Sequence, residues 1–131
     1  MNFRHWTRAP RFGELETQIM ECIWERGEMS AREVQDALCD RHLSVSTVQS
    51  TLERLSRKHV LRREKHSRAF VYAATVDRTE LIGRLMRDLS DEFATGRFEP
   101  LFSGFLTLVD ELDPARAQAA LETLRKHIEG R

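Results

Sequence analysis

Residues 44–58 read Ser44-Val45-Ser46-Thr47-Val48-Gln49-Ser50-Thr51-Leu52-Glu53-Arg54-Leu55-Ser56-Arg57-Lys58, and two patterns overlap in them. Val48, Leu52 and Leu55 recur at the spacing of a helix with one buried stripe. The other faces carry Thr47, Gln49 and Ser50, then Arg54, Arg57 and Lys58: short polar side chains first, cations towards the end. Ser44 or Ser46 is competent to cap this helix, because a serine oxygen accepts from an unpaired amide of the first turn. Such a helix buries one face and offers the other to something polar.

Directly after Lys58 the period changes. Residues 60–65 and 69–73 read as two short strands, with Phe70 and Tyr72 on one face of the second and Val71 on the other. His66-Ser67-Arg68 links them and lacks the glycine that tight hairpins favour, which leaves the register open. Upstream, residues 14–26 are helical, with Leu15, Ile19 and Ile23 in one row and Met20 and Trp24 beside it, and Gly27 suits the helix end. Ser30-Ala31-Arg32-Glu33 is a capping box that opens a second helix, turning Val34, Ala37 and Leu38 inward. Residues 39–43 are a short polar connection. Residues 1–12, with Arg4, His5, Arg8 and Arg11, read as a loose basic arm. The order helix, helix, turn, helix, hairpin over residues 13–75 is a winged helix-turn-helix, in which the third helix enters the major groove of DNA.

The charge distribution supports that reading. The chain of 131 residues has 21 basic and 21 acidic side chains, so its net charge is zero. Residues 13–40 nevertheless carry −6 and residues 41–68 carry +6. A segregated basic block is the footprint of a protein that meets a polyanion. Ser46, Thr47, Gln49 and Ser50 are the candidates for reading bases, since bulk at those positions would hold the helix off the groove and Gln pairs bidentately with adenine. Arg54, Arg57, Lys58, Arg62, Arg63, Lys65 and Arg68 are the candidates for phosphate contact.

Residues 76–131 form a second helical region. Asp77-Arg78-Thr79-Glu80 is an acid-capped box, Leu81, Leu85 and Leu89 make one row, and Thr95-Gly96 breaks the helix. Residues 101–112 hold Phe102, Phe105, Leu108 and Val109, and Asp113-Pro114 starts a last helix with Leu121 and Leu124 inward. So short a segment closes a poor core alone. Leu81, Leu85, Leu89, Phe102, Phe105, Leu108, Val109, Leu121 and Leu124 are therefore the candidate dimerisation surface, a twofold homodimer being the commonest assembly.

Several function classes fall away. No His-Glu-x-x-His, glycine-rich phosphate loop, nucleophile elbow or paired catalytic carboxylates occur, so no enzyme and no cofactor are expected. Cys22 and Cys39 are too few for a disulfide framework or a four-ligand zinc site; Cys39 with His42 makes at most half a metal site, and no metal is expected. No run of about 18 apolar residues exists, so no membrane insertion is expected. Residues 1–12 lack the apolar stretch of a signal peptide, and the chain is expected to stay where it is made.

Gly13-Glu14-Leu15-Glu16, Ile19-Met20, Trp24, Thr47-Val48, Leu52, Arg54-Leu55, Arg57-Lys58, Arg68, Phe70 and Tyr72 together resemble the BlaI/MecI penicillinase-repressor family, which also holds the CopY copper-responsive repressors. The resemblance implies a bacterial cytoplasmic repressor. It would be a homodimer on a palindromic double-stranded DNA operator, with Thr47 and Ser50 at polar reading positions, Arg54, Arg57 and Lys58 on the basic face and Arg68 at the wing tip. Two departures stand out: Val45-Ser46 replaces a common Pro-Lys, and His59 replaces a common glycine. Penicillinase-type members are relieved when a membrane-bound sensor protease triggers cutting of an Asn-Phe bond. Here Thr107-Leu108 falls near that place, and no Asn-Phe pair occurs in residues 76–131. The copper-type Cys-x-Cys is absent as well. A winged helix that binds protein and not DNA is the alternative; the basic block and the short polar face count against it.

Overall fold

The structure, a computed structural model, describes residues 8–95 and 97–131. Arg4 and His5 of the basic arm, and Gly96, lie outside them. The elements are α1 (Glu14–Arg26), β1 (Met29–Ser30), α2 (Ala31–Ala37), a 3-10 turn (Cys39–Arg41), α3 (Val45–Arg57), β2 (Leu61–His66), β3 (Ala69–Ala74), α4 (Arg78–Phe93), α5 (Phe98–Asp110) and α6 (Pro114–Glu129). This is the mainly helical winged helix-turn-helix with a small hairpin that the period changes predicted, followed by further helices. Two compact units divide the chain between Leu85 and Met86.

The starts of α2, α3, α4 and α6 are capped by their own side chains. Glu33 N–H donates to Ser30 Oγ at 3.2 Å while Ser30 N–H donates to Glu33 Oε1 at 3.0 Å, a closed capping box. Ser44, not Ser46, caps α3: its Oγ accepts from Thr47 N–H at 3.1 Å. Asp77 and Asp113 accept from the amides of Glu80 and Arg116 at 2.8 and 2.9 Å. Gly27 ends α1 at φ 83°, a conformation that only glycine adopts without steric cost.

In the first unit Ile19, Met20 and Ile23 of α1, Val34 of α2 and Val48, Leu52 and Leu55 of α3 meet in one core that Val60, Leu61, Tyr72 and Val76 complete. The Trp24 indole N–H donates to Val76 O at 2.9 Å and Arg78 lies over the indole ring, which ties the start of α4 to α1. The sheet has the order β1-β3-β2, all antiparallel. The strand β1 is too short to show a period; only its pairing of Met29 with Tyr72 and Ser30 with Val71 defines it.

Three expectations change. Leu81, assigned to the dimerisation surface, is 3% exposed and belongs to the first unit's core; Leu85 is half-buried against the same core. The first two turns of α4 thus complete the winged unit, with Leu81 inside its core and Leu85 packed against it. The first compact unit accordingly runs to Leu85, past residue 75. The arm is also less loose than expected over its described part: Ala9 is buried and Phe12 packs on the core.

The second unit buries little of its apolar surface. No residue of α5 or α6 is buried, and Phe93, Phe98, Phe102, Phe105, Leu108, Leu121, Leu124 and Ile128 are all exposed, Phe93 by 74% and Leu108 by 60%. Val109 is the half-buried exception among the candidates there. Among the described residues no helix is long and apolar enough to cross a membrane.

The hairpin register is explicit: Leu61 pairs with Ala74 and His66 with Ala69, leaving a two-residue loop of Ser67 and Arg68. Ser67 sits at φ 60°, the first central position of the loop. A left-handed residue with a Cβ costs about 1–2 kcal/mol that glycine avoids. Ser67→Gly is accordingly expected to raise stability by about 0.5–1 kcal/mol, net of glycine's greater unfolded-state entropy, read as a higher urea midpoint at unchanged slope.

Candidate nucleic-acid interface

The helix α3 is held by its inner face. Val48, Leu52 and Leu55 are fully buried, and Thr51 beside them is satisfied by donating its hydroxyl to Thr47 O at 2.8 Å. What remains outside is Ser46, Thr47, Gln49, Ser50, Glu53, Arg54 and Arg57, all exposed. The four reading candidates thus share the solvent side of one rigid helix, though their hydroxyls differ. Ser50 donates to Ser46 O at 2.9 Å, so its oxygen faces outward as an acceptor. Thr47 Oγ1 accepts from the capping Ser44 hydroxyl at 2.9 Å.

The cations divide by geometry. In a strand, alternate side chains face opposite ways. Arg63 and Lys65 therefore share the face of Leu61 that looks toward α3, while Arg62, Glu64 and His66 occupy the other. Arg63 stacks over the half-exposed Phe70 ring at 4.2 Å and borders an open hollow with Glu53, Ser56 and Arg57. Arg62, predicted at phosphate, instead donates to Glu64 Oε1 at 2.9 Å on the far face. That contact and the neighbouring His66 hold the Glu64 carboxyl below its ordinary pKa. Arg54 leans back along the helix, its Nη2 donating to Thr51 Oγ1 at 3.3 Å. Arg57 and Arg68 are exposed, one on α3 and one at the wing tip.

Lys58 is the clearest departure from the phosphate set. Its Nζ donates to Glu16 Oε2 at 2.6 Å and to Arg11 O at 2.9 Å, and it lies over the Phe12 ring at 5.5 Å. The ammonium is spent on joining the end of α3 to the start of α1. The other Glu16 oxygen accepts from Gly13 N–H at 3.2 Å. Burial raises the Glu16 carboxyl pKa, but Lys58, the Gly13 amide and Arg54 outweigh it, and the net shift is downward.

Among the described residues the Cys39 and His42 pair gathers no further metal ligand. Among the described residues the grouping whose ligand atoms converge is Glu28, Glu64 and His66, all exposed, and Arg62 already occupies Glu64.

A winged helix-turn-helix whose third helix is braced behind and polar in front is the architecture of a DNA-reading transcriptional regulator. The chain belongs to the penicillinase repressor family, whose profile matches residues 12–129. It is 36% identical over 121 residues to the transcriptional regulator BlaI of Mycobacterium tuberculosis (strain ATCC 25618 / H37Rv), covering 88% of each chain. It is 26% identical over 121 residues to the penicillinase repressor of Bacillus licheniformis, covering 92% of this chain and 94% of that one. Among solved structures, the DNA-binding domain of the repressor BlaI superimposes with a TM-score of 0.50 at 29% identity, over 57% of this chain and 93% of that one.

The Glu16–Lys58 pair has a definite pH signature. Glu16's folded pKa lies below its unfolded one, so the pair's contribution is complete above the unfolded value and is lost as pH falls through the folded value. Glu16→Gln is expected to cost about 1–2 kcal/mol at neutral pH. The gap between the two proteins' urea midpoints should close as pH falls through the lowered folded pKa of Glu16, below the ordinary glutamate value of about 4.3.

Proposed function

We propose that the protein is a homodimeric repressor that binds a palindromic double-stranded DNA operator, one winged unit to each half-site. The observation that carries this is the two-sidedness of α3: a buried apolar face fixes it, and an exposed face of short polar residues adjoins Arg57, Arg63, Lys65 and Arg68. In this reading Ser46, Thr47, Gln49 and Ser50 meet base edges, and the cations that remain exposed meet phosphate. The relatives are named as a transcriptional regulator and a penicillinase repressor, which supports the same role.

The exposed apolar residues of α5 and α6, with Leu89 and Phe93 of α4, support dimerisation. Contiguous apolar surface of this kind marks an interface. Each large side chain covered by a partner contributes roughly 1.5–3 kcal/mol. Joining two heads raises avidity by about 100–10,000-fold, so release from DNA need only separate them. A cut within 104–110 would do this. Residues 76–131 hold no Asn-Phe pair, so the bond cut in related repressors has no counterpart there.

Two measurements test the reading. Arg57→Ala and Arg68→Ala should each weaken binding to all duplexes and flatten the plot of log affinity against log salt by about 1 per subunit, or about 2 per dimer. Unchanged slopes in both would remove the docking. Leu108→Asp should yield a monomer in sedimentation and lose about 100-fold or more in operator affinity while the winged unit stays folded. A dimer in that variant would remove the assigned interface.

A further inference from the structure

One acid stands in the middle of the exposed face of α3. Glu53 lies one turn after Gln49 and one turn before Arg57, so all three share one side of the helix. It borders an open hollow of about 420 Å³ with Ser56, Arg57 and Arg63, between α3 and the wing. It is exposed, and among the described residues it forms no hydrogen bond or ion pair. The helix ladder does not need it, and no cation has closed on it although Arg57 and Arg63 border the same hollow.

A carboxylate here opposes the task of its surroundings. The segment is basic, the proposed partner is a polyanion, and an ionised carboxyl is repelled by phosphate. It becomes favourable against DNA only where it meets a donor. An ionised carboxylate has acceptors alone. In the major groove the donors are the amino groups of cytosine N4 and adenine N6; guanine and thymine present acceptors. Adenine places its N7 lone pair beside the amino group, which repels the second carboxylate oxygen. Cytosine places a C–H there, which does not. The complementary guanine offers O6 and N7 to a neighbouring guanidinium.

We propose that Glu53 is a specificity-determining residue that accepts from cytosine N4 at one position of each half-site and rejects guanine and thymine there. This rests on the reading of α3 as a groove-binding helix. The test is selection of bound duplexes from a randomised pool by the full-length protein, followed by affinities for duplexes altered singly at each half-site position, for wild type, Glu53→Gln and Glu53→Ala. Because Glu53 is exposed, both variants are expected to keep the wild-type melting temperature. The expected result is a cytosine preferred by about tenfold at one position per half-site in wild type. Both variants should lose that preference and bind non-specific duplexes as tightly as wild type, or more tightly. If they tighten on every sequence and keep the wild-type preferences, Glu53 is only a repulsive charge and the assignment falls while groove binding stands. If the wild type binds no duplex selectively, the groove reading itself falls and takes Glu53 with it.

Discussion

The helix α3 must satisfy two surroundings at once, and the rest of the first unit follows from that constraint. Val48, Leu52 and Leu55 lose all contact with water, which requires α1, α2 and the base of the hairpin to close over them. The opposite side must stay open and free of bulk. A helix that buried more would have nothing left to offer a groove; one that buried less would not be held at a fixed angle. The capping serine, the Thr51 back-bond and the hairpin that follows all serve to hold this one element with its polar side outward.

The same constraint explains why two cations of a basic segment are diverted. A helix end packed against another helix needs its carbonyls and flanks tied down. Lys58, on the edge of the buried stripe, reaches Glu16 and Arg11 across that junction. The wing divides its charges by the two-residue period of a strand. Arg63 and Lys65 face the recognition side, and Arg62 turns away to pair with Glu64. A net charge over a run of residues therefore overstates the charge available on any one surface.

The second unit poses the opposite problem. Its helices carry apolar residues that a chain segment of this size has too little volume to enclose. The winged unit takes Leu81 and part of Leu85 for its own core, and what lies beyond Met86 keeps its phenylalanines and most of its leucines exposed. Leaving that surface exposed is costly in a monomer, and that cost is what supports the proposed dimer.

Most of the architecture was legible in the sequence because it is written in local rules. Ser30, Asp77 and Asp113 cap their helices as their types and spacings predict, Gly27 ends α1, and the change from helical to strand period marks the wing. The exposed positions Ser46, Thr47, Gln49 and Ser50 follow from the same helical period that buries Val48, Leu52 and Leu55. Where local rules fall silent, only the fold decides. β1 exists through its pairing with β3, Ser44 and not Ser46 takes the extended backbone at the head of α3, and Leu81 falls within the core of the winged unit. Lys58 and Glu16 are 42 positions apart, and no pattern along the chain joins them. The sequence determined which residues are charged, capped or apolar. The tertiary structure decided which of those charges remain free, because an ion pair depends on distance in space, and distance in space is set by the packing of whole elements.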